Sequence, residues 1–253
     1  MIEIKNICSG YGKDNVLRGL SLSIAQGEVL SVVGLNGCGK STLLKTVARI
    51  IPPRGGDIYI DGVSVKELTP KERARRIAYL PQTKPVPDMT VEELVLQGRF
   101  PHTAFPYGYR QNDKSAAYSA IEKMGISELS GSSLSSLSGG MLQRAYIAMA
   151  LCQSADYILL DEPTTHLDAS ASLELMELLR GLAGEGKGIA VVMHDLALAF
   201  EYSDRVALLL DGKIIKEGAP EDLYRSGIVT DTFGVGLLRA PNGSYYYDRS
   251  NRR

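Results

Sequence analysis

The feature that most constrains this chain is the glycine-rich segment at residues 34–41, Gly-Leu-Asn-Gly-Cys-Gly-Lys-Ser. It fits the pattern G-x-x-x-x-G-K-[ST], in which backbone N–H groups surround phosphate oxygens. The apolar run at residues 29–33 predicts a buried strand before it, and residues 40–50 predict a helix after it. A strand, a glycine loop and a helix N-terminus together form an anion-binding site. The segment therefore predicts a phosphate-binding loop.

Each position of this loop has a chemical reason. Lys40 places a positive charge at the β- and γ-phosphates, and the Ser41 hydroxyl can ligate Mg²⁺. Cys38 is predicted to fill a variable position, although the helix N-terminus and Lys40 would favour its thiolate. The residues predicted to bind the phosphates are Gly34, Asn36, Gly37, Cys38, Gly39, Lys40, Ser41 and Thr42.

A second motif ends another apolar run, Tyr-Ile-Leu-Leu-Asp-Glu at residues 157–162. An acid at such a strand end holds Mg²⁺ in enzymes with a phosphate loop, and Asp161 is predicted to do so. Glu162 is then placed to accept a proton from the water that attacks the γ-phosphate. The alternative, two solvated acids in a turn, is disfavoured because the phosphate loop is present as well.

Composition excludes several classes of protein. The chain has 253 residues, of which 44% are hydrophobic, so it can bury a large core. It has 28 Lys and Arg against 29 Asp and Glu, which gives no electrostatic argument for a nucleic-acid partner. No apolar run approaches the roughly 20 residues needed to span a bilayer. With an alternating N-terminal strand pattern instead of a signal peptide, we expect a soluble cytosolic chain. Its three cysteines and three histidines show no spacing typical of disulfides or metal sites.

The order of patterns along the chain predicts an α/β fold with a mostly parallel sheet. Antiparallel strands are expected first, and a helical insertion is expected between the phosphate loop and the carboxylate strand. Strands are predicted at residues 2–7, 20–24, 29–33, 57–60, 77–80, 157–161, 189–193 and 205–210, with hairpin turns at 61–62 and 211–212. Helices are predicted at residues 91–96 and at 115–124, the second with Asp113 as its cap.

A third motif, Leu-Ser-Gly-Gly at residues 137–140, precedes the carboxylate strand by about twenty residues. With all three motifs in this order, the chain resembles the ATP-binding cassette subunits of ABC transporters from about residue 2 to 223. The resemblance implies a P-loop NTPase fold with ATP and Mg²⁺ as its ligands. It places the ATP-binding domain at residues 1–225, with a helical subdomain at about 89–153, and leaves residues 226–253 as an extension without an interpretable motif.

The resemblance also assigns roles to single residues. Tyr11 matches the aromatic residue that stacks on adenine, and Gln82 matches the glutamine that reaches Mg²⁺ and the attacking water. His194 matches the histidine at the γ-phosphate, and Asp168 matches the acid of a loop that crosses the dimer interface. An exposed strand-end tyrosine and a structural histidine are the alternatives for Tyr11 and His194. The predicted catalytic residues are Lys40, Gln82, Glu162 and His194, and the predicted metal ligands are Ser41, Gln82 and Asp161.

The third motif predicts a partner. Ser138, Gly139 and Gly140 open a predicted helix, and in the family this surface binds the γ-phosphate held by the other subunit. The resemblance thus implies a head-to-tail dimer of two copies around two ATP. The family usually has Gln where this chain has Met141, and Met makes no firm hydrogen bond. A polar contact from that position is therefore not expected.

The resemblance further implies an importer that works with polytopic membrane subunits and, through them, a substrate-binding protein. Residues 98–102, Gly-Arg-Phe-Pro-His, resemble a segment of the subfamily that imports iron chelates, haem or vitamin B12. We expect docking through Gln82 and residues 90–106, on the cytoplasmic face of the inner membrane. The alternative is a DNA-repair or translation ATPase of the superfamily. It is disfavoured because the insertion lacks sustained heptads and only one cassette is present.

Overall fold

The computed structural model describes residues 1–103, 108–165, 167–241 and 243–248. Residues 104–106 of the predicted docking segment and residues 242 and 249–253 of the predicted extension lie outside these ranges. The strands are β1 (Ile2–Ser9), β2 (Leu17–Ile24), β3 (Val29–Val33), β4 (Gly55–Ile60), β5 (Val63–Ser64), β6 (Ile77–Leu80), β7 (Tyr157–Asp161), β8 (Gly188–Val192), β9 (Arg205–Leu210), β10 (Lys213–Gly218), β11 (Gly236–Arg239) and β12 (Tyr245–Asp248). The α-helices are α1 (Lys40–Val47), α2 (Pro70–Arg76), α3 (Val91–Gln97), α4 (Gln111–Lys123), α5 (Gly139–Cys152), α6 (Ala169–Gly184), α7 (Leu196–Tyr202), α8 (Pro220–Arg225) and α9 (Ile228–Phe233).

The central sheet has the order β6-β7-β8-β3-β9-β10, and its strands are parallel except for β10. Every residue of β3, β7 and β8 is buried, which fits continuous apolar runs in a parallel sheet that is covered on both faces. Because β3, β8 and β7 are neighbours, their carboxyl ends lie side by side. The phosphate loop, the two acids and His194 follow these three ends, so the topology brings the predicted motifs together.

The N-terminal strands form a separate antiparallel sheet with the order β2-β1-β4-β5. Its turn at Asp61 and Gly62 has φ values of 51° and 81°, as a tight two-residue hairpin requires. Its buried residues share one apolar cluster with α1 and with one face of the central sheet. The predicted N-terminal antiparallel subdomain is confirmed.

Helices α3, α4 and α5 follow one another between β6 and β7 and pack together around Leu94, Ile121 and Ile147. The predicted helical insertion is therefore present, although its boundaries at 89 and 153 stay predictions. Asp113 was expected to cap α4, and this was wrong. The N-cap is Arg110 and the helix begins at Gln111, four residues before the predicted start. The Asp113 carboxylate lies in the first turn and accepts from the Arg110 N–H at 2.9 Å.

The structure also differs from the predicted elements at positions where the sequence has no clear apolar pattern. The helix predicted at residues 40–50 ends at Val47, because the chain turns through Arg49 with a φ of 59°. The C-terminal extension, for which no structure was predicted, contains the hairpin of β11 and β12. Tyr245 of this hairpin packs edge-on against Phe200 of α7 and Tyr224 of α8. Tertiary packing holds the hairpin on the domain.

Candidate nucleotide-binding and hydrolysis site

Lys40 lies at the centre of the glycine loop. Its ammonium donates to the carbonyl oxygens of Gly34 at 2.8 Å and of Leu35 at 3.0 Å, and the side chain is buried. These two hydrogen bonds fix the position of the Lys40 ammonium inside the loop. The first turn of α1, with Ser41 and Thr42, continues from this point. The loop thus gathers a cation, backbone N–H groups and a helix N-terminus around one small space.

Two glycines are required by the geometry of the loop. A Cβ atom on Gly34 would lie 2.2 Å from the carbonyl oxygen of Leu209, which is an impossible contact. Gly39 has a φ of 113°, and a Cβ there would approach Leu17 to 3.0 Å. Both positions therefore exclude side chains, as the motif predicts.

Cys38 is buried within the same loop. Burial raises the pKa of its thiol above the ordinary value, and the nearby Lys40 charge opposes this effect less strongly. A neutral thiol is favoured, so the alternative of an activated thiolate is not supported by its surroundings.

Ser41 and Asp161 come together at the start of α1. The Ser41 hydroxyl donates to Asp161 Oδ1 at 2.9 Å, and the Tyr79 hydroxyl reaches Asp161 Oδ2 at 3.3 Å. Burial raises the pKa of the Asp161 carboxyl, and the neighbouring Glu162 charge adds to the rise. A carboxylate in this position gains from a cation, and two hard oxygens suit Mg²⁺. Sequence analysis missed Tyr79, because its β-strand pattern carries no sign of a site.

Within the described ranges, no group of three or more His, Cys, Asp or Glu side chains could hold a metal ion alone. The Ser41 and Asp161 oxygens nevertheless fit Mg²⁺ that is bound mainly by substrate phosphates and water, which is how this ion usually binds at nucleotide sites. The residues present therefore fit the ion.

Glu162 receives donors on both carboxylate oxygens. Gln82 Nε2 donates to Oε2, and His194 Nε2 contacts Oε1. The Thr165 hydroxyl adds a longer contact to Oε2 at 3.4 Å. The backbone of Glu162 has a φ of 51°, which is rare for a residue with a side chain and is often found at functional sites. The structure thus brings three of the four predicted catalytic residues into direct contact.

Tyr11 lies on an exposed turn, with 53% of its surface accessible. The Arg54 guanidinium holds this turn through one side chain and three backbone acceptors. These acceptors are Gly10 O at 3.3 Å, Gly12 O at 2.7 Å, Asp14 O at 3.0 Å and Asn15 Oδ1 at 3.0 Å. Arg54 was missed by sequence analysis, because nothing local connects it with residues forty positions earlier.

The third motif lies apart from the phosphate loop. The Ser138 hydroxyl caps α5 by accepting from the Met141 N–H at 3.3 Å, as predicted, and Ser138, Gly139 and Met141 are exposed. Among the residues that the structure describes, no hydrogen bond joins this motif to the loop. Asp168 is likewise exposed, and it caps α6 by accepting from the Ala171 N–H at 2.8 Å.

Of the helices in the part of the chain that the structure describes, none is both long and apolar enough to cross a membrane.

Residues 17–165 match the family model described as ABC transporter. The ferric enterobactin transport ATP-binding protein FepC of Escherichia coli is 42% identical over 231 residues, which cover 90% of this chain and 85% of that protein. The petrobactin import ATP-binding protein YclP of Bacillus subtilis is 38% identical, with 94% of each chain covered. The iron(3+)-hydroxamate import ATP-binding protein FhuC of Bacillus subtilis is 39% identical, with 89% of this chain and 85% of that protein covered.

Solved structures give the same result. The ATP-binding subunit of an ABC transporter superposes with a TM-score of 0.78 at 28% identity, covering 89% of this chain and 92% of that one. A dimeric post-hydrolysis state of an ATP-binding cassette with ADP and Pi superposes with a TM-score of 0.77 at 28% identity, covering 87% and 99%.

Proposed function

Because this chain belongs to the ABC transporter family, we propose that it hydrolyses ATP to power the import of a ferric siderophore, with haem and vitamin B12 as less favoured cargoes. The observation that carries the cargo class is the set of relatives at 38–42% identity, whose names specify enterobactin, petrobactin and hydroxamate transport. The ATPase activity itself follows from family membership and from the phosphate loop and its neighbouring carboxylates.

The residues of the candidate site each have a role in this reaction. Lys40 and the loop N–H groups bind the phosphates, and Tyr11 stacks on the adenine. Ser41, Asp161 and Gln82 would hold Mg²⁺, which when bound neutralises charge on the β- and γ-phosphates. Glu162 accepts the proton of the attacking water. Gln82 and His194 orient its carboxylate, and the fixed backbone of Glu162 limits its movement.

Cassettes of this family form dimers and act with membrane permease subunits. For this chain, the exposure of Ser138, Gly139 and Asp168 supports a head-to-tail dimer in which these residues complete the partner's ATP site. Polytopic membrane subunits would bind around Gln82 and residues 90–106, and a substrate-binding protein would deliver the cargo to them. The chain would then lie peripherally on the cytoplasmic face of the inner membrane.

The test is uptake by a strain that lacks this chain. We expect the strain to lose uptake of a ferric siderophore, and the wild-type chain but not Glu162→Gln to restore it. Haem and vitamin B12 uptake are measured in parallel, since one of them could be the cargo instead. Normal uptake of the siderophore, haem and vitamin B12 would reject the cargo class but would leave the ATPase assignment unchanged.

A further inference from the structure

A closed ring of hydrogen bonds passes through the Gln82–Glu162 pair. Gln82 Nε2 donates to the Glu162 carboxylate, and the next residue, Pro163, accepts from Gln143 Nε2 at 2.6 Å. Gln143 Oε1 accepts from Lys84 Nζ at 2.6 Å, and Lys84 also donates to the backbone oxygen of Gln82 at 3.3 Å. Lys84 and Gln143 thus close the ring.

The orientation of the Gln143 amide is determined by its partners. A lysine ammonium only donates and a proline carbonyl only accepts, so the oxygen must face Lys84 and the nitrogen must face Pro163. Gln143 is buried, with 6% of its surface accessible, which makes the loss of either bond costly.

Gln143 also connects the ring to the third motif. It lies four residues after Gly139, about one turn into α5. In the next turn, the Tyr146 hydroxyl donates to the carbonyl oxygen of Pro85, and the Tyr146 ring lies 6.0 Å from the Lys84 ammonium. Helix α5 therefore has two successive attachments to the loop that follows Gln82.

Lys84 lies between the loop of Gln82 and helix α5. Its ammonium is half-buried between the Gln82 carbonyl, the Gln143 amide and the Tyr146 ring, and Asp161 is the acid whose charge acts on it. A buried cation requires compensating partners, and here these partners belong to the loop of Gln82 and to α5. The side chain therefore joins two parts of the molecule.

We propose that Lys84 and Gln143 are positioning residues for ATP hydrolysis, which hold the loop of Gln82 and the loop after Glu162 at a fixed spacing and join both to the helix that begins after Ser138. The proposal rests on the proposed function, since it takes Gln82 and Glu162 as the hydrolytic pair. A movement of the α5 N-terminus, such as a partner's nucleotide would cause, then changes the spacing of that pair. This supplies a physical link between closure of the dimer and hydrolysis.

The test measures ATP hydrolysis and ATP binding by the full chain with Lys84→Met, Gln143→Met and both together. Each single change should lower kcat about tenfold, the effect of one charged hydrogen bond, and should leave the Kd for ATP within about twofold of wild type. The double variant should be no slower than either single variant, because one break already opens the ring. Lys114→Met, an exposed lysine on α4, is the matched control and should hydrolyse ATP normally.

Glu162→Gln distinguishes a failure of the proposed hydrolytic site from a failure of the proposed positioning role of Lys84 and Gln143. If Glu162→Gln still hydrolyses ATP, the proposed hydrolytic site is wrong. If Glu162→Gln is inactive but both single variants keep wild-type kcat, the ring has no positioning role. A double variant slowed about a hundredfold would show independent effects and also overturn the proposal. Circular dichroism checks that each variant folds. If Gln143→Met does not fold, Lys84→Met still tests the proposal, because Lys84 is only half-buried and its replacement should be tolerated.

Discussion

At the scale of the residue, the buried ammonium of Lys40 is the positive charge nearest to the predicted phosphates. Lys40→Ala removes it, so we expect ATP binding to weaken about tenfold to a hundredfold, as for the loss of a charged hydrogen bond. Cys38→Ser should have a mild effect, because the thiol is neutral and fills space. A nucleotide titration with both variants measures the difference, and near-normal binding by Lys40→Ala would contradict the phosphate-loop assignment.

Arg54 gives a prediction specific to the adenine end of the site. Arg54→Met releases the turn that carries Tyr11, so we expect the Kd for ATP to rise about three- to tenfold while kcat at saturating ATP stays unchanged. Lys66→Met, an exposed lysine on the same N-terminal region, is the charge-matched control. Titrations are repeated in a Tyr11→Ala background, where Arg54→Met should add nothing further. Fully additive losses would show that Arg54 does not act through Tyr11.

The sequence was sufficient to identify Gly34, Lys40 and Asp161, because phosphate and Mg²⁺ binding require these residue types at set positions of a motif. It did not identify Arg54 or Lys84, whose partners Asp14 and Gln143 lie 40 and 59 positions away, and it gave Gln143 no role. Only the fold brings these residues to their partners.

At the scale of the element, the C-terminal hairpin is attached beside His194. The Tyr247 hydroxyl donates to Asp195 Oδ1 at 3.0 Å and accepts from the Leu196 N–H at 2.8 Å, and Asp195 also caps α7. Tyr247→Phe removes both hydrogen bonds and should lower the free energy of unfolding by about 1–2 kcal/mol, since each such bond usually contributes about 1 kcal/mol. Urea unfolding measures the loss, and Tyr246→Phe is the neighbouring control. Equal stability of the two variants would argue that the Tyr247 contact does not hold the hairpin.

We expect the free energy of unfolding to depend on pH through Lys84, in the loop after Gln82. Burial lowers the pKa of Lys84 from 10.5 to about 8. Below pH 8 the lysine is charged in both states, and the folded state carries the full desolvation penalty. Between pH 8 and 10.5 the unfolded chain binds more protons, so the Lys84 contribution to the free energy of unfolding rises with pH. The stability of wild type relative to Lys84→Met should therefore improve across this window in denaturant titrations. Parallel pH curves for the two proteins would refute the shift.

The predictable elements were those with a clear apolar pattern. Strands β3 and β7 are short apolar runs that end in motifs, and both were predicted within the bounds observed. The end of α1 and the hairpin of β11 and β12 were not predicted, because a left-handed residue at Arg49 and the packing of Tyr245 decide them. Neither leaves a periodic signal in the sequence.

At the scale of the whole molecule, the parallel sheet gathers one half of an ATP site and leaves the other half elsewhere. The ends of β3, β7 and β8 supply the phosphate loop, the acids and His194, whereas the Ser138–Gly140 surface is presented by the helical insertion. Among the described residues, no hydrogen bond joins Ser138, Gly139 or Gly140 to the phosphate loop. Two copies placed head to tail would bring the two half-sites together twice, so we expect a dimer around two ATP.

The most direct test of the central claim is the fate of ATP bound to Glu162→Gln. The glutamine amide cannot take the proton of the attacking water, so the variant should bind ATP with Mg²⁺ but release no phosphate. On size-exclusion chromatography it should elute at twice the mass of the chain with ATP retained, while wild type releases ADP and phosphate. Phosphate release by Glu162→Gln at the wild-type rate would show that Glu162 is not the base for ATP hydrolysis.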